Sequence, residues 1–483
     1  MNDRSSFVVE DQSRAIAAIE RTRKPERRIE THGALVFLTK DRAYKMKRAV
    51  RFPYMDFSTV ERRRDMCAAE IAINKPLAPE IYLGVEPVHD EGRAIDWLVV
   101  MRRFDDGNLF DRMAERGELT AELMAALGAR IASFHAGLAS VRAEFATPDA
   151  YRHSIAADVR QMREHGERLL PDISEALAEA MPRSLEPYLD LVAQRRADGW
   201  VRRCHGDLHL RNIVLLHGKP APFDAIEFSA RIAIIDVLYD LAFALMDLCH
   251  RGLRPLANRL LNEWLWRMPG DHEAALALLP MFLARRASIR AYVDAANAAI
   301  HDTVDEKARA YQRTALSFLQ PVPATLTAIG GLSGSGKTTQ ALKEAPALGR
   351  IPGAVVVRSD VERKRQAGIA LEERMPAGSY SPEASARVYA AMLERAEQLL
   401  RAGHSVVLDA VFAKPEERSA AEALGRRLSV PFQGLWLDVP KDVAQARVAG
   451  RKGDASDATP EVVERQFGYD LGDVRWTRKS AVS

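Results

Sequence analysis

The spacing of apolar positions along the chain changes twice. Up to about Asp96 they alternate in short runs around one helical stretch, which predicts a small sheet-rich lobe. Residues 95–104 read as a strand that runs into the turn Asp105-Asp-Gly-Asn108. From Thr120 to about Phe318 apolar residues recur at helical spacing, as in Leu123, Leu127, Ile131 and Phe134, which predicts a largely helical region. Pro321-Val-Pro323 breaks its last helix and supplies the boundary. Beyond it, apolar strands at 326–330, 354–358, 405–409 and 434–439 alternate with helical stretches. That alternation predicts a parallel sheet flanked by helices, with ligands at the strand C-termini. The expected organisation is 1–318, a linker 319–323, and 324–483.

Gly331-Leu332-Ser333-Gly334-Ser335-Gly336-Lys337-Thr338, followed by Thr339, fits G-x-x-x-x-G-K-[ST] between the first of those strands and a helix. Glycines there let successive N–H groups turn toward a phosphate, and the helix N-terminus adds its positive end. Lys337 is expected to meet the β- and γ-phosphates of a nucleoside triphosphate and Thr338 to coordinate Mg²⁺. No N-K-x-D guanine signature appears, so ATP is the expected donor.

Composition narrows the setting. A chain of 483 residues exceeds one typical domain, and 47% hydrophobic with 28% charged residues is that of an ordinary globular protein. A net charge of +3 is too mild to argue for nucleic acid. Cys67, Cys204 and Cys249 form neither a C-x-x-C nor a Cys/His metal pattern, which suits a reducing cytoplasm. The N-terminus lacks the apolar core of a signal peptide, and stretches such as 274–283 are too short to span a bilayer, so no membrane role is expected.

A second phosphoryl-transfer signature is His205-Gly-Asp207-Leu-His-Leu-Arg-Asn212, with the D-x-x-x-x-N spacing of a protein-kinase catalytic loop. Gly206 stands where protein kinases have Arg, and the His-Gly-Asp form resembles the aminoglycoside phosphotransferase family, kinase-like enzymes that mostly phosphorylate small molecules. Ala43-Tyr-Lys45 looks like that family's small-lobe Ala-x-Lys, and Glu70 lies on the following helix where the family places the partner of the Lys. Ala132-Ser-Phe-His135 and Asp236-Val-Leu-Tyr-Asp240 match two further family segments. The C-terminal third resembles small P-loop kinases of the zeta-toxin, gluconate-kinase and polynucleotide-kinase type. The tandem is similar to bacterial proteins described as bifunctional aminoglycoside phosphotransferase/ATP-binding proteins. The implied fold is an α+β kinase-like two-lobed domain followed by an α/β P-loop NTPase domain with a parallel sheet.

The resemblance implies roles for particular residues. Asp207 orients the acceptor hydroxyl, Asn212 binds metal, and Lys45 holds phosphates with Glu70 as its ion-pair partner; Lys47, on the same strand face, is the competing lysine. The second metal acid is open between Asp224 and Glu227, because Phe223-Asp-Ala-Ile-Glu-Phe228 departs from the family's Ile-Asp-Phe/Trp. The glycine-rich loop is reduced to Thr31-His-Gly33. Arg286 and Arg290, four apart on one helix, favour an anionic acceptor over a polycationic one if they line the pocket. In the C-terminal domain Asp360 takes the acceptor's proton, Arg363 anchors the acceptor, and Asp409 is a Walker-B-type or substrate-binding carboxylate. Arg447 and Arg451 belong to a lid over the transferred phosphoryl. The expected activity is Mg-ATP-dependent phosphoryl transfer to small-molecule hydroxyls. Two alternatives stand beside it: one domain regulating the other, and a resistance kinase whose pocket would be acidic.

Overall fold

The computed structural model describes residues 7–52, 55–142, 144–301, 306–376, 379–450 and 455–480. It resolves into two compact units, one of Met1–Arg251 with Met281–Ser317 and the other of Gly252–Pro280 with Phe318–Ser483.

In the first unit an antiparallel sheet runs in the order Arg27–Glu30, Ala34–Leu38, Arg42–Lys47, Arg93–Arg102, Tyr82–Asp90. Period-two alternation sorts the strand Arg42–Lys47. Tyr44 and Met46 join the core under the helix Ser13–Arg23, through Ala15, Ala18 and Ile19. Ala43, Lys45 and Lys47 face the other way, toward the side where Cys67 of the helix Val60–Asn74 packs with Ile81, Tyr82 and Val99. That helix is capped by Thr59, whose side chain accepts from the Arg62 N–H. The other lobe is helical, with short two-stranded ribbons Val201–Arg203 with Ile234–Asp236 and Ile213–Leu216 with Lys219–Pro222 flanking the catalytic-loop segment.

The second unit holds a five-stranded all-parallel sheet in the order Val355–Arg358, Val406–Asp409, Leu326–Gly330, Phe432–Asp438, Thr477–Ser480. The outer edge of Val355–Arg358 is closed by side chains of the helix Arg254–Arg267. Asn262 Oδ1 accepts from Val356 N at 2.7 Å, Asn258 donates to Ala354 O at 2.9 Å, and Trp266 Nε1 donates to Val356 O at 2.8 Å. An edge strand otherwise presents unpaired N–H and C=O groups, so this helix completes the sheet. Residues 252–280 therefore pack with the second unit, although the sequence boundary assigns them to 1–318. Periodicity shows that they are helical; it does not show whose core they cover. Among the described residues no helix is long and apolar enough to cross a membrane.

His404 ties the same segment down. It is fully buried and its Nε2 hydrogen-bonds Leu276 O at 2.9 Å, while Nδ1 has no partner. Burial pushes the imidazole down to about 4, against the opposing pull of the Leu276 carbonyl. A depressed histidine leaves stability intact above the ordinary value of 6.5; it is lost as the pH falls from there toward the folded value, where the unfolded chain binds the proton first. A shift of that size corresponds to about 3 kcal/mol. Chemical unfolding of the second unit should weaken between pH 6.5 and 4, and His404→Gln should flatten that slope; equal slopes in both proteins would remove His404 from the account.

Candidate active sites

In the first unit a buried charge cluster joins strand, helix and catalytic segment. Lys45 Nζ lies 2.9 Å from Glu70 Oε1 and 2.6 Å from Asp224 Oδ1. Lys47 Nζ pairs with the other Glu70 oxygen and with Glu227. The two lysines that compete by sequence are thus both bound to Glu70, each with its own second acid. The surroundings differ sharply: the Asp224 side chain is 46% exposed and that of Glu227 only 4%. Desolvation works to raise Glu70 and Asp224, but the lysines win and hold both carboxyls below their ordinary values. Glu227, deeper, is pushed up by burial despite Lys47.

Asp224 sits at φ 61°, a left-handed conformation open to Asp at modest cost, and its N–H donates to the Tyr82 hydroxyl at 2.9 Å. The preceding Phe223 N–H donates to Asn212 O at 2.9 Å and its carbonyl hydrogen-bonds His205 Nε2 at 2.9 Å, so the segment 223–228 and the loop 205–212 are laced together.

The loop itself hangs on Asp240, whose carboxylate accepts from Gly206 N at 2.8 Å, His205 N at 3.2 Å and His135 Nε2 at 3.0 Å. Gly206 has φ 82°, a left-handed conformation that favours glycine, while the space around it would admit a Cβ at ordinary contact distance. His135, Cys204 and Asp240 come within 4.8 Å of one another, but the Asp240 oxygens are committed to the loop, so the trio reads as an anchor. Cys204 is fully buried, as an apolar residue closing its strand. Asp207 accepts from Asn212 Nδ2 at 3.0 Å and lies 3.4 Å from His209 Nε2. Burial opposes ionisation of Asp207, yet His209 and its neighbours hold the carboxyl well below the usual range.

Two cavities meet at Asp207. One, of about 500 Å³, has apolar walls including Val36, Ala43, Met101 and Phe104 and a polar floor of Lys45, Asn212 and Asp224. The other, of about 580 Å³, lies among helices and includes Arg286 and Arg290 in its lining. Thr31, His32 and Gly33 line the first cavity as the turn between two strands.

In the second unit Gly334 has φ 83°, and a Cβ there would lie 2.5 Å from Ala444 O, so the phosphate loop and the helix Lys441–Ala449 approach as closely as backbone allows. Lys337 Nζ curls over its own loop to Gly331 O at 2.7 Å and Leu332 O at 3.0 Å. Thr338 Oγ1 donates to Asp409 Oδ2 at 2.6 Å. Arg358, at the end of its strand, donates to Thr338 Oγ1 at 3.3 Å and lies 3.5 Å from the same Asp409 oxygen. Its guanidinium also lies 5.1 Å from the centroid of the Trp266 ring. Arg358 was missed by sequence reasoning; its signal is a charged residue at the C-terminal end of a strand buried along its whole length. Arg447 donates to Gly334 O at 3.4 Å. Asp360 is raised by burial and by the nearby Asp409, against the pull of Arg358. Arg363 donates to Ser379 O at 2.8 Å and lies 4.7 Å from the Tyr380 ring centroid, so one face of it braces that segment. Arg451 lies outside the described residues.

Each unit thus gathers one cluster of charged side chains, and comparison with known proteins finds two domains. A model of the phosphotransferase enzyme family matches residues 39–279, and an AAA domain model matches 326–469. Uncharacterized protein Rv2004c of Mycobacterium tuberculosis is 30% identical over 470 residues, covering 92% of this chain and 90% of its own, as is uncharacterized protein Mb2027c of Mycobacterium bovis. Among solved structures, amicoumacin kinase hAmiN is 13% identical, covering 66% of this chain and 96% of its own at a TM-score of 0.40. A gluconokinase from Sinorhizobium meliloti is 20% identical, covering 34% of this chain and 86% of its own at a TM-score of 0.24. The two matched domains are those of a phosphotransferase.

Proposed function

We propose that this chain, which belongs to one family with the uncharacterized mycobacterial proteins and carries a phosphotransferase enzyme-family domain followed by an AAA domain, transfers the γ-phosphoryl group of ATP to small-molecule hydroxyls at two sites. The observation that carries this reading is the meeting of two cavities at Asp207, one walled for a nucleotide and one open to an acceptor. Phosphoryl transfer needs donor and acceptor to meet with the attacking and leaving oxygens in line across the γ-phosphorus, and Asp207 lies where the two cavities join.

In the first unit Lys45, steadied by Glu70, holds the phosphates. Asp207 orients the acceptor hydroxyl and takes its proton as the new P–O bond forms and the β–γ bridge breaks. Its depressed carboxyl keeps it ionised for this at neutral pH. Asn212 spends its amide nitrogen on Asp207 and keeps its amide oxygen for a metal, and the half-exposed carboxylate of Asp224 lines the same cavity. That hard oxygen set suits Mg²⁺, and Asp224 is the metal acid of this reading. Mg²⁺, when bound, neutralises charge on the phosphate oxygens. Glu227 holds Lys47 instead. In the second unit Lys337 receives the β- and γ-phosphates, Thr338 and Asp409 hold Mg²⁺, and Asp360 serves the acceptor. Arg363 anchors the acceptor, and Arg447 with Arg451 covers the transferred group.

Full-length protein carrying Lys337→Ala isolates the first site, and mass spectrometry of a metabolite pool identifies species that gain a phosphoryl group. Adding Asp207→Asn should cut that transfer by about a hundredfold or more, the usual consequence of deleting a general base, with nucleotide binding retained. Undiminished transfer would overturn the assignment.

The two acids separate in a magnesium titration of the same protein. Asp224→Asn should raise the Mg²⁺ requirement steeply, because it removes a charged oxygen ligand. Glu227→Gln should leave the requirement near wild type and lower thermal stability, because it strips Lys47 of a buried partner. The reverse pattern would make Glu227 the metal ligand.

A further inference from the structure

The cavity on the acceptor side of Asp207 is lined by four arginines, Arg231, Arg285, Arg286 and Arg290, against two aspartates, Asp158 and Asp207. Asp158 is already matched: Arg285 Nε lies 2.6 Å from one of its oxygens and the Tyr292 hydroxyl 3.2 Å from the other. Arg290 pairs with Asp294 at 3.0 Å. Arg286 has a different environment. It is 4% exposed, and its hydrogen bonds go to neutral carbonyls, Tyr239 O at 3.3 Å and Gly206 O at 3.2 Å. Its guanidinium lies 3.9 Å from the Tyr239 ring centroid and 4.7 Å from that of Phe243. Nη2 is buried with no hydrogen-bond partner, and so is the Tyr239 hydroxyl, itself 4% exposed and lining the same cavity.

A buried guanidinium donor without an acceptor is costly, and the acceptor that best offsets the cost is an anionic oxygen. Resting on the phosphotransferase reading of this unit, we propose that the cavity takes an acceptor bearing an anionic group, a carboxylate or a phosphate, held by Arg286 and the Tyr239 hydroxyl with Arg290 and Arg231 beside it. The transfer chemistry is that of the parent reading. The acceptor hydroxyl oxygen bonds the γ-phosphorus, its proton passes to Asp207, and ADP leaves with the electron pair of the broken P–O bond. An aminoglycoside would bring several ammonium groups to an arginine-rich wall in a site of low dielectric, where like charges repel.

The test uses full-length Lys337→Ala protein, so that the second unit's phosphate loop does not contribute, with a non-hydrolysable ATP analogue bound. Calorimetry compares four six-carbon probes: gluconate, glucose 6-phosphate, glucose and glucosamine. One anion should bind about tenfold or more tighter than glucose and glucosamine, as one charge-assisted hydrogen bond supplies. Which anion wins tells carboxylate from phosphate. Arg286→Gln should abolish the preference. Since that change also unbraces Gly206, Arg290→Gln and the exposed, rim-lining Arg231→Gln are measured too, and at least one should weaken anion binding several-fold with analogue affinity unchanged.

Glucose or glucosamine binding as tightly as the anions, no binding by either anion, or anion affinity indifferent to all three arginines would overturn the proposal. The parent reading fails differently. A bound anion whose hydroxyls take no phosphoryl from ATP leaves the anion pocket standing without a transferase. Asp207-dependent transfer to glucosamine in preference to the anions leaves the transferase standing without the pocket.

Discussion

A strand, a helix and the segment after Pro222 in the first unit converge on one carboxylate shared by two ammonium groups. Glu70, with no exposed side-chain surface, gives one oxygen to Lys45 and the other to Lys47. Moving such charges out of water costs several kcal/mol per ion, and the cost is offset only when each ion finds its partners. Two lysines around one glutamate leave one positive charge over, and Asp224 and Glu227, two carboxylates, more than match it. This closure fixes the helix Val60–Asn74 against the strand Arg42–Lys47 and pulls the segment after Pro222 into the same cluster. Burial then separates the two pairs: Lys47 with Glu227 is nearly enclosed and Lys45 with Asp224 more accessible, although all four line the same cavity.

The catalytic loop obeys a related constraint. A left-handed glycine at 206 and two backbone hydrogen bonds to Asp240, itself held by His135, fix the loop, and Asn212 and His209 flank Asp207. The carboxylate is positioned before any substrate arrives. That is the form of catalysis open to phosphoryl transfer, where the protein contributes placement and charge with no covalent step of its own.

The phosphate loop and the strand Leu326–Gly330 were legible in the sequence because each depends on local spacing, whereas the Lys45–Glu70 pair, 25 residues apart, was expected only from the family resemblance. Period-two alternation put Lys45 and Lys47 on one face, but sorting their two acids needed burial, which two carboxylates three residues apart do not announce. The strand Thr477–Ser480 is exposed at every position and has no apolar alternation to reveal it. Asn258, Asn262 and Trp266 read as ordinary positions of an amphipathic helix; that they close a sheet edge some 95 residues onward follows from tertiary packing alone. Arg358 is likewise given its role by Asp409 and Thr338 converging at the ends of neighbouring strands.

The second unit repeats the logic of placement with other parts, a glycine loop closed over Lys337 and a threonine held to Asp409. On the proposed reading one chain carries two nucleotide sites. Equilibrium dialysis of the full-length protein against a non-hydrolysable ATP analogue with Mg²⁺ tests it directly. The account predicts two analogue molecules bound per wild-type chain and one per Lys337→Ala chain. A single molecule on the wild type and none on Lys337→Ala would contradict it.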